Sequence, residues 1–388
     1  MLLPATPSPR PGVARRVCRF RLAVSVVALG AASILPFAPA RAATVCVGNS
    51  AELQNALDTA ESNGTDDVIH LRTGTYPVPG GGFKYLSSEA RSLTLVGGYI
   101  TFIGGSCARF QTTPFGTVLD GGHQERVLSI SIAMPAGSTG TPLVHIEGLK
   151  LANGDGGLGD SGVGLSVRVT PATLHPTIEV FGNAVIDNDT QGAVGGVDIA
   201  TGNSGTVRVV GNLFAGNHTL GNASALEVYG TAGFDAAVTN NTFVGNSGGA
   251  SSVVALSLAN ASATAWASNN ILWANGGDYD FGIFSIGTVA LVANDYPRAL
   301  NNPVALEVDR YQVDPRFIDL ASNWDLKPDS PLSGKGVYQP YGNVGSEDLL
   351  GRPRVTGSTI DLGAYEIQVL TADGFELGSL VAWSTKSP

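Results

Sequence analysis

The sequence predicts an all-β fold: a single right-handed parallel β-helix with an N-terminal helix cap and a C-terminal capping module. Three observations predict it. Four segments align without gaps, IEVFGNAVIDN, VRVVGNLFAGN, AAVTNNTFVGN and AWASNNILWAN, each 29 residues after the last. Inside each unit apolar residues alternate with polar ones, the period of a half-buried strand. The 388 residues include 51 Gly and only 14% charged residues. That composition suits many short strands and turns, and excludes a charged helical bundle or coiled coil. Apolar content of 43% excludes a disordered chain.

The repeat fixes how the strands must meet. Ile178/Val180, Val207/Val209, Ala236/Val238 and Ala265/Ala267 form one alternating column pair, and Val185, Phe214, Phe243 and Leu272 form another after a turn. Val197/Ile199, Leu226/Val228, Leu256/Leu258 and Phe284/Ile286 supply a third. Three short strands per unit at a fixed step wind into a coil, each strand pairing with its equivalent about 4.8 Å above and below. Stacking then brings Asn183, Asn212, Asn241 and Asn270 into one file, a structural ladder in which each buried amide donates to one neighbour and accepts from the other. A β-propeller blade needs about 40–45 residues, which this step does not supply.

The remaining segments follow in chain order. Residues 1–42 read as a Sec-type signal peptide: Arg-rich to Arg21, apolar over Leu22–Leu35, then Ala40-Arg41-Ala42 as a cleavage site. The expected location is therefore secreted or cell-surface, with no transmembrane span. Losing six Arg and no acid leaves 16 Lys and Arg against 32 acids, a surface that repels nucleic acid. Of the three Cys, Cys46 and Cys107 remain in the mature chain, and an oxidising compartment pairs them. Asn49–Ala60 reads as an amphipathic helix with Asn49 as N-cap and Glu52 three residues on. The β-helix with this cap spans 43–300. From about Asn301 the 29-residue step ends and Pro and charge rise, so 301–370 form the C-terminal module and 371–388 a tail. A monomer is expected.

DVIHLRTGTY (67–76), LTLVGGY (93–99), Cys107 and TVLDGG (117–122) resemble the opening of secreted bacterial right-handed β-helix proteins of the pectate-lyase-like superfamily. VDPRFID (313–319), DLKPDSPLSGKG (325–336), DLLGRPR (348–354) and IDLGAYE (360–366) resemble the terminal module of choice-of-anchor β-helix proteins, exported to the bacterial surface. ADGFELGSLVAWS (372–384) is similar to a short tail on secreted proteins of some Gram-negative bacteria. The resemblance implies the fold and an extracellular role. Enzymes of the superfamily cleave acidic polysaccharides, but neither the paired-Asp and Gly-His-Gly set of polygalacturonases nor the Arg-x-Pro-x-x-Arg of pectate lyases is present.

Two outward columns follow from the predicted register. His145, Glu179, Arg208, Ala237 and Trp266 form the first, a set able to hydrogen-bond and stack on a sugar chain, or simply a solvated face with a Glu179–Arg208 pair. Trp273 joins Trp266 as a pointer to carbohydrate contact. Arg168, Asp198, Glu227, Ser257 and Ser285 form the second. Its adjacent acids would repel or share a calcium ion, and Arg168 would then serve a β-elimination lyase. NGDGGLGD (153–160) reads as a Gly-rich turn rather than a calcium loop, and the five His show no metal-ligand spacing. The chain is thus expected to be a scaffold or binding module for polysaccharide or cell-surface glycan. The alternatives are a calcium-dependent lyase or hydrolase, and an adhesin with a protein partner.

Overall fold

The computed structural model describes residues 43–101, 107–171, 173–202, 204–249, 252–298, 300–355 and 359–367. The signal-peptide reading and the tail at 371–388 lie outside them. The chain is a parallel β-helix with three long sheets. The first sheet stacks ten parallel strands from Ala43–Val47 to Leu306–Val308, and Cys107–Arg109 pairs antiparallel to its third. The second runs over seven strands from Gly74–Pro77 to Ile271–Trp273. The third also has seven, from Phe83–Ser87 to Tyr279–Ser285. A short fourth sheet of two-residue strands, Asp155–Gly156 to Ser247–Gly248, turns a corner between the second and third. No helix among the described residues is long and apolar enough to cross a membrane.

Like residues lie over like. Val185, Phe214, Phe243 and Leu272 are in register and fully buried, and the Phe214 and Phe243 rings stack at 4.6 Å. Asn183, Asn212, Asn241 and Asn270 form one file. Asn183 Oδ1 accepts the Leu149 N–H; each later Oδ1 accepts both the backbone N–H and the side-chain amide of the Asn below, as Asn241 does from Asn212 at 2.9 and 3.0 Å. Each Nδ2 also donates to a carbonyl of the preceding coil, Asn241 to Val209 at 2.8 Å. Asn294 ends the file. Asn188, Asn217, Asn246 and Asn275 form a second file by the same bonds. The residue before each first-file Asn is left-handed: Gly182, Gly211, Asn240 and Asn269. Gly and Asn are the residues that tolerate that conformation.

The α-helix Ser50–Ala60, the only one among the described residues, buries Leu53, Leu57 and Ala60 against the first coils. Asn49 Oδ1 accepts the Glu52 N–H at 3.0 Å, and Glu52 reaches back to the Gly48 N–H at 2.7 Å. The Cys46–Cys107 disulfide ties the first strand to the antiparallel strand on the third.

Two expectations need correction. In the third sheet, Leu165, Val197, Leu226, Val254 and Phe281 share register, so the step is not a constant 29 residues. A register irregularity between Ala223 and Leu226 and a shorter last coil put Phe281 and Ile283 in the core. Phe284 and Ile286, expected inside, are 52% and 71% exposed. The C-terminal segment does more than close the last coil. Asn301 and Asn302 bond both backbone groups of Ile283 and so cover the end of the third sheet. The described residues between about 314 and 367 then fold back as an arm along the outside of the second sheet. Its Phe317, Leu332, Leu349 and Leu362 pack on Ala184, Leu213, Val244 and Ile271.

The arm lands by hydrogen bonds on the left-handed asparagines. Asn240 Nδ2 donates to the carbonyls of Asp361 and Gly363, at 3.0 and 3.2 Å. Asn269 exchanges two bonds with the Val337 backbone. Within the arm, DLLGRPR and IDLGAYE close on each other. Asp348 accepts from Arg352 and from the Glu366 N–H, Asp361 from the Gly334 and Ile367 N–H groups, and Arg354 donates to the carbonyls of Gly363 and Ala364.

Candidate functional site

His145, Glu179, Arg208, Ala237 and Trp266 are register partners on successive strands of the first sheet, side by side on its outer face. Rigid pairing sets their backbone spacing, so only side-chain chemistry varies along the file. His145 lies between two carboxylates, with Nδ1 2.8 Å from Glu179 and Nε2 2.9 Å from Glu147. Arg109 bonds the other oxygen of Glu147 at 2.7 Å, and the Phe181 ring meets the imidazole edge-on. Both imidazole nitrogens donate only when the ring is protonated. Burial pulls the His145 pKa down, but the bonds to Glu147 and Glu179 outweigh it and the pKa is raised. Burial likewise raises Glu147, and its bonds to His145 and Arg109 outweigh that, leaving it lowered.

The signs set a pH window. The raised His145 stabilises below its ordinary pKa of 6.5 and loses that contribution as pH climbs through the raised value. The lowered Glu147 stabilises above 4.5 and loses its contribution as pH falls through its lowered value. The network is therefore strongest in mildly acidic solution. An NMR titration of the His145 ring is expected to give a midpoint above 6.5, falling in Glu147→Gln. A midpoint at or below that value would mean the carboxylates do not hold the proton.

The Glu179–Arg208 pair that the sequence suggests is not formed, because Glu179 turns to His145. Among the described residues the Arg208 guanidinium has no ion pair and no hydrogen bond; its one marked neighbour is the Tyr341 ring, centred 6.0 Å away. Tyr341 belongs to the arm. Its ring lies 5.6 Å from that of Trp266, its hydroxyl donates to Asp235, and its carbonyl accepts from Thr239 at 3.0 Å. Gly342 follows so close to Ala237 that a Cβ there would sit 2.3 Å from the alanine Cβ. The arm thus roofs part of the outer face. Two clefts open beneath it, of about 370 and 350 Å³. Glu179, Arg208 and Asn343 line the first, Arg109, Glu147 and Ser346 the second, and Phe181, Val210 and Gly345 line both.

The second predicted column is only partly a column. Asp198 and Glu227 are register partners, but Arg168 aligns with Ala200, Ser257 with Tyr229, and Ser285 with Leu258. The unequal steps of the third sheet displace them. Arg168 still reaches Asp198 across the face, Ser161 donates to the same oxygen, and Ser257 donates to Glu227 at 3.0 Å. Asp198 is only 4% exposed. Burial first, and then Asp198, raise the Glu227 pKa. These polar groups are spent on one another. In the 153–160 turn, Asp160 bonds the Gly157 N–H and Arg126. Among the described residues no group of three His, Cys, Asp or Glu side chains is placed to hold a metal ion.

Trp273 does not join Trp266. It ends a strand of the second sheet and packs, half buried, against the arm. Sequence reasoning missed Arg109, Glu147, Tyr341 and Asn343. Glu147 was within reach, being two residues past His145 on the same strand face. Tyr341 lies some hundred residues from Asp235 and Thr239, and no local pattern announces such a contact. Comparison of the chain with family models, curated proteins and solved structures finds no match.

Proposed function

We propose that the chain is an exported surface β-helix that binds polysaccharide in the clefts between its first sheet and the arm. One observation carries the reading: Arg208, a half-buried guanidinium without an anionic partner among the described residues, lines a cleft whose walls also present Glu179, Asn343 and Phe181. Unpaired donors next to carboxylates and an aromatic edge suit a ligand rich in hydroxyls, which both donates and accepts. The apolar leader at 1–42 and the disulfide support export. The test is retention on a glycan array, with and without calcium, for the wild type and Arg208→Ala. Binding to at least one polymer is expected, weakened about tenfold or more by the substitution, the loss of a charged hydrogen bond. No retention by a folded wild type, or equal retention by Arg208→Ala, would sink the reading.

A further inference from the structure

We infer that the Trp266 indole is the floor of a sugar-ring subsite and that Tyr341 occupies it as an internal mimic until a ligand displaces it. The inference rests on the polysaccharide reading above and adds to it a stacking subsite and its control. Tyr341 touches the three groups a pyranose would use there, one for stacking and two for hydrogen bonds. A six-membered ring leans against the indole, its centroid 5.6 Å from that of Trp266 and its plane tilted by 36°. A hydroxyl donates to the Asp235 carboxylate, which only accepts. The Arg208 guanidinium faces the ring at 6.0 Å. The position adjoins the open cleft, since Gly342 and Asn343, the next two residues, line that cleft with Arg208.

The loop is built to leave. It is tied at Val337 through Asn269, and at Ser346, whose carbonyl accepts from the Arg354 N–H. Between these ties its hydrogen bonds to the coils are those of Tyr341 to Thr239 and Asp235. Gly342, Asn343 and Gly345 are all left-handed, a conformation that glycine adopts without steric cost. The Tyr341 side of the loop faces solvent, the residue being 42% exposed. Its departure therefore breaks few bonds, and a ligand that stacks on Trp266 replaces them.

A protein whose competent state is a minor fraction binds more weakly by that fraction. If the loop is closed nine times in ten, removing the tyrosine ring tightens binding about tenfold. Two measurements test this on the full chain. Hydroxyl-radical footprinting read by mass spectrometry reports Trp266 without any ligand; Tyr341→Ala is expected to raise its oxidation several-fold while Trp273 is unchanged. Calorimetry with cellohexaose, xylohexaose and hexagalacturonate reports the subsite; Tyr341→Ala is expected to bind at least one about tenfold more tightly than wild type, and Trp266→Ala to lose that gain. Weaker binding by Tyr341→Ala would make the tyrosine part of the wall and overturn the inference, as would unchanged Trp266 oxidation. Retention by the wild type with no gain in Tyr341→Ala sinks the inference alone. Absence of binding by both sinks the polysaccharide reading with it.

Discussion

Asn241→Ala lowers the stability of the coil stack by about 3–5 kcal/mol. The side chain is fully buried and holds four bonds at once. Truncation strands the Asn212 N–H where water does not reach, and takes one partner each from the Val209 carbonyl and from the Asn212 amide, which keeps the Val180 and Val210 carbonyls; an orphaned buried group costs about 1–3 kcal/mol. The surrounding strands cannot close over the gap, because their spacing is set by the ladder bonds of every other coil. Asn275, at the half-buried end of the second file, makes the same kinds of bond with water close by. Asn275→Ala is therefore expected to cost only about 1–2 kcal/mol. Urea unfolding followed by circular dichroism measures both. Equal losses for the two variants, or a loss under about 1 kcal/mol for Asn241→Ala, would show that burial of the ladder is not what makes it stabilising.

Arg354→Met is expected to release the arm while leaving the coils folded. Arg354 is fully buried and donates to the Gly363 and Ala364 carbonyls at 3.1 and 2.8 Å. Those two residues dock on the stack, the Gly363 N–H on the Asn269 carbonyl and the Ala364 N–H on the Thr242 hydroxyl. Burial and the nearby Asp361 push Glu366 up, to about 8, against the pull of Arg354. Without the arginine the Gly363 and Ala364 carbonyls lose their buried donors, at about 1–3 kcal/mol each. The loss falls on the arm, which is joined to the coils by one apolar face and a few turn bonds. Hydrogen exchange is the measurement. Protection is expected to drop through 314–367 and to persist in the Asn files. Uniform loss over the whole chain would mean that arm and coils unfold as one unit.

Much of the architecture was legible because it repeats. A step of 29 residues with two asparagines in every unit determines the first and second sheets, since equal steps leave only one way to lay Ile178 beside Val207 or Val185 beside Phe214. The third sheet was read less well. Its coils differ in length at the corner after the second Asn file, so Arg168 and Asp198 look like neighbours in sequence spacing but sit two positions apart in register. Alternation alone does not reveal a one-sided change in loop length, and it placed Phe284 inside when Phe281 takes the core. The first outer column was named residue by residue, yet its setting was not. What decides the chemistry of Arg208 is a tyrosine more than a hundred positions away, brought over it by an arm whose motifs were visible but whose landing place was not. Contacts between a repeat and a non-repeat leave no period to read.

The landing place itself has a wider consequence. Each of the four 29-residue repeats carries a left-handed residue at the same corner, and backbone geometry alone would accept glycine at all of them. Two have it, Gly182 and Gly211; the two whose side chains hydrogen-bond the arm are Asn240 and Asn269. A difference of one carboxamide breaks the translational symmetry of the stack and tells otherwise interchangeable rungs apart. Docking is thereby indexed from the nearest asparagine doublet and not counted from the beginning of the chain. Duplication or loss of rungs nearer the helix-capped end would lengthen or shorten the rod without moving the address.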